Sequence, residues 1–135
     1  MPQRSLVIIK PDAVARGLVG AILARYEAKG LRIVALDQRT VDTQLAREHY
    51  AEHVDKPFYP ELERFITSGP LVAMVLEGER AIDAIRILNG ATNSAEAAPG
   101  SIRGDFSLSN SYNCVHASDS EESAEREIAL WFTGL

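Results

Sequence analysis

Short apolar runs alternate with helical patterns along the chain, and this alternation most narrowly limits the folds that it can adopt. Leu71–Leu76, with the sequence LVAMVL, is apolar at consecutive positions, which is typical of a strand buried on both faces. Ser5–Lys10 is rich in β-branched residues and meets Pro11, so it predicts a second buried strand. We also predict a strand at Leu31–Val41 and a short last strand at Tyr112–His116.

Helical patterns lie between and after these strands. Apolar residues at helical spacing predict a helix that starts near Leu18 and ends at Gly30. Residues 91–111 lack periodicity and are predicted to form a long loop. The same kind of pattern predicts further helices from Asp42 or Thr43 to about His53, at Glu61–Ser68, from Ala81 to Gly90, and around Ala124, Ile128 and Trp131.

The order of these elements, β-α-β-α-β-α-β-α, predicts the fold class. Four strands separated by helices favour an α/β (α+β) sandwich of the ferredoxin-like kind, in which helices cover a four-stranded mixed or antiparallel sheet. Residues 1–135 are predicted to form one domain, because no linker, repeat or low-complexity segment interrupts the pattern.

Composition narrows the functional classes. Apolar residues make up 46% of the chain and charged residues 24%, as in an ordinary globular protein. A net charge of -5 disfavours general nucleic-acid binding, which depends on neutralising phosphates with Lys and Arg. Cys114 is the only cysteine, and no apolar run approaches the roughly 20 residues of a membrane span. We therefore expect a cytoplasmic protein with no membrane partner and no specific nucleic-acid partner.

The segment NCVHASDSEESAERE places His116 between an apolar strand and a strong helix start. A single histidine at a strand end is more often a packed residue than a nucleophile. Here, however, Ser118, Asp119 and Ser120 can cap the following helix, and Glu127 lies about two turns into it. A carboxylate folded back onto the strand could hold one imidazole nitrogen and present the other as a lone pair.

Several cations and donors occur near predicted element ends. Lys10 ends a buried strand, and Arg103 lies in GSIRGDF, whose glycines would let the backbone approach a ligand closely. Any one of these charges alone is more typical of a solvated surface residue. Together, Lys10, Arg86, Thr92 and Arg103 would suit a polyphosphate, because guanidinium groups grip phosphate oxygens with two donors. No GxxxxGK[ST] is present, so the chain is not a P-loop protein.

Two other groups of residues have weaker signals. Phe58 lies between two prolines, and Leu62 follows one helical turn later. Such residues more often pack in a small cluster beside the main core, but the two side chains could also clamp a flat ring. His49 and His53 could share a helix face, but HYAEH does not match HExxH, so a zinc site is disfavoured. Cys114 is predicted to be buried filler.

Taken with their order, these motifs resemble the nucleoside diphosphate kinase family over essentially the whole chain. NCVHASD matches the family's active-site signature, and IKPD, RGLVG, HYAEH, KPFYPEL, IRGDF and SAEREIALWF follow its order and spacing. The resemblance implies a ping-pong transfer of the terminal phosphate from nucleoside triphosphates, with ATP as the expected donor, to nucleoside diphosphates. It also implies Mg²⁺, held mainly by nucleotide phosphates and water.

The resemblance also implies residue roles. His116 would become a phosphohistidine, with Glu127 orienting it and Ser118 as a further neighbour, while Lys10 and Asn113 would reach the sugar hydroxyls. Phe58 and Leu62 would hold the base without reading its edge, which implies broad base tolerance. Asp119 would support the magnesium or Arg103 indirectly. The residues implied to surround the phosphates are Tyr50, Arg86, Thr92 and Arg103.

Three positions depart from the family pattern. Ala117 and Ala13 stand where glycine is common, and Ser94 stands where proline is usual, in a loop that relatives use between subunits. The resemblance implies a homo-oligomer, with a hexamer favoured over a tetramer. The alternatives are a regulatory homologue without turnover, a scaffold or nucleic-acid module, and a phosphocarrier protein. The intact His116 and cation set disfavours the first, the acidic chain the second, and Phe58 with the arginines the third.

Overall fold

The computed structural model describes residues 2–135, which form a four-stranded sheet covered by helices. The strands lie in the order β2-β3-β1-β4, and every neighbouring pair is antiparallel, so the mixed arrangement is excluded. The strands are β1 Pro2–Ile9, β2 Arg32–Arg39, β3 Leu71–Glu79 and β4 Val115–Ala117.

Seven α-helices within residues 2–135 surround this sheet. They are α1 Pro11–Ala15, α2 Val19–Lys29, α3 Thr43–His49, α4 Tyr59–Ile66, α5 Ala81–Asn89, α6 Ile102–Phe106 and α7 Glu121–Trp131. Among the residues described, no helix combines the length and apolar character needed to cross a membrane.

The core lies on both faces of the sheet. Successive side chains of a strand point to opposite faces. Val7 and Ile9 of β1 therefore pack with α2 and most of α5, while Leu6 and Ile8 pack with α3, α4 and α7. Both faces are buried along residues 5–9 of β1 and residues 71–76 of β3, as the continuous apolar runs predicted.

Several predicted element bounds are wrong. The loop at 91–111 contains a 3-10 helix, Ser94–Glu96, and α6, because Asn93 and Ser101 cap these short turns with their side chains. Helix α1 was not predicted, because Pro11 is typical of the end of a strand; proline also fits the first position of a helix. The helix predicted to reach about His53 ends at His49, and the one predicted at Glu61–Ser68 is α4.

The last strand starts three residues later than predicted, because the chain bends at Cys114. This residue has a φ of 73°, a left-handed conformation that a strand cannot contain. Its thiol is buried, as predicted, and burial raises the pKa of that thiol to about 11. The bend sets β4 against β1 so that His116 lies opposite Ile8 and close to Lys10, which follows the end of β1.

Candidate active site

His116 contacts a carboxylate from the helix that follows it. A Glu127 Oε1 lies 3.1 Å from His116 Nε2, and the Ser118 hydroxyl donates to the same oxygen at 2.8 Å. The side chains of Glu127 and Ser118 are largely buried, and 23% of the His116 side-chain surface is exposed. With its Nε2–H directed at a carboxylate, the neutral ring carries its lone pair on Nδ1.

The chain at the Cys114 bend is hydrogen-bonded to both the side chain and the backbone of Lys10. Lys10 Nζ donates to Asn113 Oδ1 at 2.8 Å, and the Lys10 backbone N–H donates to the Cys114 carbonyl at 2.8 Å. Asn113 Nδ2 donates in turn to the Thr92 carbonyl at 2.9 Å. Burial, followed by the nearby Arg103, lowers the pKa of Lys10 to about 8, so its charge depends on its surroundings.

Arg103 is fixed by three backbone carbonyls. Its Nε, Nη1 and Nη2 donate to the carbonyls of Asn113, Gly90 and Val115 at 3.3, 2.8 and 2.6 Å. Because a guanidinium has five N–H groups, one hydrogen remains on each Nη. Burial lowers the pKa of this guanidinium, although arginine remains charged. The result is a fixed two-donor fork.

The glycine of α6 has a different role from the one predicted. A Cβ on Gly104 would overlap the Ala98 carbonyl oxygen and crowd the Ser101 hydroxyl. Gly104 therefore lets the chain pack closely on itself next to Arg103 and not on a ligand.

These residues line one cavity of about 360 Å³, a size suited to a small ligand. Four cationic side chains face it, against three carboxylates of which Glu127 is already paired. A local anion site therefore exists in an acidic protein. The predicted residues in its wall are Lys10, Tyr50, Arg86, Thr92, Arg103, Asn113, His116, Asp119 and Glu127.

Three predicted residues lie outside this wall. Ser118 is behind it, where its hydroxyl contacts Glu127. Phe58 is 54% exposed, and its ring lies 5.7 Å from that of His53, which does line the cavity. Leu62 is half-buried one turn along α4. The structure thus places Phe58 at the rim of the cavity.

Of two further residues that face the cavity, Tyr50 stays protonated and Asp119 stays ionised. Burial and then the charge of Glu127 raise the pKa of Tyr50, so its hydroxyl keeps its proton. The Ser123 hydroxyl is the main group that lowers the pKa of Asp119, with a smaller effect of Arg86. Asp119 therefore stays ionised near Arg86.

Comparisons with known proteins decide the family. A sequence model described as "Nucleoside diphosphate kinase" matches residues 3–135. The chain belongs to the nucleoside diphosphate kinase family. It is 67% identical to a nucleoside diphosphate kinase of a Nocardioides strain, over 100% of both chains. It is 65% identical to one from Nocardia farcinica, over 98% of this chain and 96% of the other.

Solved structures agree with this assignment. A halophilic nucleoside diphosphate kinase from Halobacterium salinarum in complex with CDP has a TM-score of 0.96 and 50% identity, covering 98% of this chain and 89% of that one. A family protein from Babesia bovis gives 0.94 and 47%, covering 97% and 88%. The ferredoxin-like fold is thereby confirmed, and the chain is a phosphotransferase of the nucleoside diphosphate kinase family.

The cavity also contains residues that sequence reasoning missed, among them His49, Asn89 and Arg126. His49 belongs to HYAEH, a motif of the family resemblance and of a disfavoured metal pair, and neither pattern assigns it a role in the site. In the sequence, Asn89 resembles an ordinary last residue of a helix before Gly90. In the structure, its Oδ1 accepts a hydrogen bond from the Tyr26 hydroxyl at 2.5 Å. Arg126 reads as a solvated charge on α7, and nothing in its sequence context separates it from other surface arginines.

Three side chains of the site have a spacing that could suit a metal ion. One ligand atom each of His49, His116 and Glu127 lies within 4.8 Å of the other two. However, the Trp131 indole donates to His49 Nδ1 at 3.0 Å, and Glu127 Oε1 is in contact with His116 and Ser118. Trp131 thus occupies the Nδ1 lone pair of His49, and His116 Nε2 directs its hydrogen at Glu127. Glu127 is therefore bonded to His116 and Ser118, while His49 packs edge-on beside the pair.

Proposed function

We propose that this nucleoside diphosphate kinase transfers the terminal phosphate from a nucleoside triphosphate, with ATP as donor, to a nucleoside diphosphate through a phosphohistidine at His116. The observation that carries the proposal is the placement of His116. Its Nε2 is held by Glu127, and its ring lies in the wall of a cavity with four cationic side chains. This combination provides a free nucleophilic nitrogen and a site for polyphosphate.

The first step is an in-line substitution at phosphorus. The His116 Nδ1 lone pair forms a bond to the γ-phosphorus, while the bond from that phosphorus to the bridging oxygen breaks. The electron pair of the broken bond leaves on the diphosphate product. The ring becomes more positive as the N–P bond forms, and the adjacent Glu127 carboxylate stabilises it. A second nucleoside diphosphate then takes the phosphoryl group by the reverse reaction.

The cationic residues neutralise the charge that spreads over the phosphate oxygens. Phosphoryl transfer depends mainly on positioning and electrostatic stabilisation. The rigid fork of Arg103, with Arg86 and the Thr92 hydroxyl, would hold the phosphates, and Tyr50 would donate a hydrogen bond. Lys10 and Asn113 would hold the sugar hydroxyls. Phe58 at the rim, with Leu62, would stack on the base, and stacking tolerates any base.

Family enzymes are generally Mg²⁺-dependent, and the cavity fits an ion that arrives with the nucleotide. The carboxylates in its wall are Glu52, Asp119 and Glu127, too few for a dedicated magnesium cage. Asp119, which stays ionised, would support the ion through water or through Arg86. Bound magnesium would neutralise phosphate charge and orient the oxygens during transfer.

A homo-oligomer is part of the proposal, with a hexamer favoured over a tetramer. The family resemblance supports it, and β2 is an edge strand with its second side free among the described residues. Sedimentation velocity at several protein concentrations measures the subunit count. A monomer at all concentrations would refute this part alone.

The catalytic proposal is tested by incubating the protein with ATP and Mg²⁺ and measuring its mass. We expect one added phosphoryl group that is labile in acid and stable in base. His116→Ala should abolish it, while circular dichroism shows a folded protein. Peptide mapping that places the phosphate on another residue, or an unchanged mass of the wild type, would refute the proposal. Equal transfer to several nucleoside diphosphates would support the stacking role of Phe58.

A further inference from the structure

The HYAEH segment contains a histidine that the proposed mechanism has not used. His49 is the last residue of α3 and is only 4% exposed. Its ring packs edge-on against His116, with centroids 4.7 Å apart and planes at 77°. A buried imidazole in contact with the nucleophile is positioned to control how that nucleophile is oriented.

Trp131 fixes the tautomer of His49. The indole Nε1–H of Trp131 donates to His49 Nδ1 at 3.0 Å, inside the core. An indole nitrogen can only donate, so His49 Nδ1 must act as the acceptor. The proton of the neutral His49 ring therefore resides on Nε2. Trp131 itself is 3% exposed and packs among the core residues of α7, so the arrangement is rigid.

The surroundings of His49 oppose a positive charge on it. Burial lowers the pKa of His49 well below its usual value, and the charges of His116 and Arg126 act in the same direction. Arg126 also ties α7 to α3, since its Nη2 donates to the His49 carbonyl at 3.0 Å. The titratable and charged groups around His49 are His116 from β4, Arg126 and Glu127 from α7, Lys10 after β1, and Tyr50 and His53 after α3.

We infer that His49 is a positioning residue for His116: Trp131 holds it as a neutral Nε2–H imidazole, so that Glu127 remains bound to His116 alone. This inference rests on the proposed function of His116.

Competition for Glu127 is the reason that neutrality matters. One nitrogen of His49, one of His116 and a Glu127 oxygen lie within 4.8 Å of one another. A cationic His49 would attract this carboxylate and draw it away from His116 Nε2. The ring of His116 would then lose the contact that fixes its tautomer, and Nδ1 would no longer be presented reliably to the phosphate. A neutral His49 only packs against the ring and leaves the pair intact.

The variant Trp131→Phe removes the indole donor and keeps an aromatic ring in the core. His49 Nδ1 is then free to take a proton as the pH falls. We expect the rate of His116 phosphorylation by ATP to be close to that of the wild type at about pH 8. At about pH 6 we expect it to be roughly 10-fold slower than the wild type, a shift of about one pH unit in the acid limb. Ile128→Val, a change in the same core cluster on α7, is the control and should leave the pH profile unaltered.

A merely structural role of Trp131 would slow phosphorylation by the same factor at every pH. That result, or a profile identical to the wild type, would overturn the inference. A second measurement needs no variant: nitrogen-15 NMR of the imidazoles, simplified by the presence of only three histidines. We expect His49 to show an Nε2–H tautomer that does not titrate between about pH 5 and 8. An Nδ1–H tautomer or ordinary titration would overturn the inference even if Trp131→Phe fails to fold.

Failure of this inference is distinguishable from failure of the proposed function. If the wild type forms no phosphohistidine, the proposed function itself is wrong. If phosphohistidine forms normally and only the pH profile of Trp131→Phe is unchanged, the role of His49 is wrong and the proposed function stands.

Discussion

Replacing Lys10 by methionine should stabilise the protein while it removes activity. Lys10 is 8% exposed, and the folded state lowers the pKa of its ammonium from 10.5 to about 8. Since one pKa unit corresponds to about 1.4 kcal/mol, keeping this charge in the folded state costs about 3 kcal/mol at neutral pH. Methionine fills a similar volume without a charge. The variant loses the hydrogen bond that Lys10 donates to Asn113 Oδ1, and this loss offsets about 1 kcal/mol of the gain in the free energy of unfolding.

The net expectation for Lys10→Met is a free energy of unfolding raised by about 2 kcal/mol at about pH 7. Its pH dependence follows from proton binding. Between about 8 and 10.5 the wild-type Lys10 is neutral when folded but still protonated when unfolded. The unfolded wild type then binds more protons, so wild-type stability rises with pH relative to the variant. The advantage of the variant should shrink across this window.

Urea unfolding at a fixed protein concentration measures this difference at several pH values, and phosphohistidine formation measures the activity. Lys29→Met is the matched control, because Lys29 is exposed at the end of α2 and should show no such pH dependence. A Lys10→Met variant that is less stable than the wild type at neutral pH would refute the reasoning. A stability difference that stays constant from about pH 8 to 10.5 would do the same.

Three further substitutions test other contacts. Glu127→Gln keeps an acceptor but loses the charge beside His116, so phosphoenzyme formation in rapid-mixing experiments should slow about 100-fold; an unaltered rate would contradict the positioning role. Ser94→Pro should raise the unfolding free energy by about 1 kcal/mol, because Ser94 starts a 3-10 helix and its buried hydroxyl has no partner among the described residues. Comparison with Ser94→Ala in thermal melts separates the effect of the proline ring from the loss of the hydroxyl. A destabilised Ser94→Pro would contradict the prediction. Gly104→Ala should cost about 3 kcal/mol or more, since the new Cβ would meet the Ala98 carbonyl; a melt like that of the wild type would show that the turn can relax.

Much of the fold could be predicted from local patterns. The apolar runs identified three strands and both buried faces of β3, and the family resemblance is confirmed over residues 3–135. Helix α6 depends on a side-chain hydrogen bond and the start of β4 on one unusual residue, whereas α1 begins at Pro11, a residue that also fits the end of a strand. The cap of Ser101 on α6 and the left-handed Cys114 leave no periodic signal, because each involves only a few residues.

The sequence by itself indicated three of the four strands and the main helices, and it indicated a phosphate-binding set around His116. Only the tertiary structure decided which nitrogen of His116 meets Glu127, and that Trp131 bonds to His49 behind it. Periodicity reports which face of an element is buried, but it carries no information on which distant residue lies opposite. The packing of α3 and α7 on one face of the sheet sets that choice, because it brings residues 82 positions apart into hydrogen-bond contact.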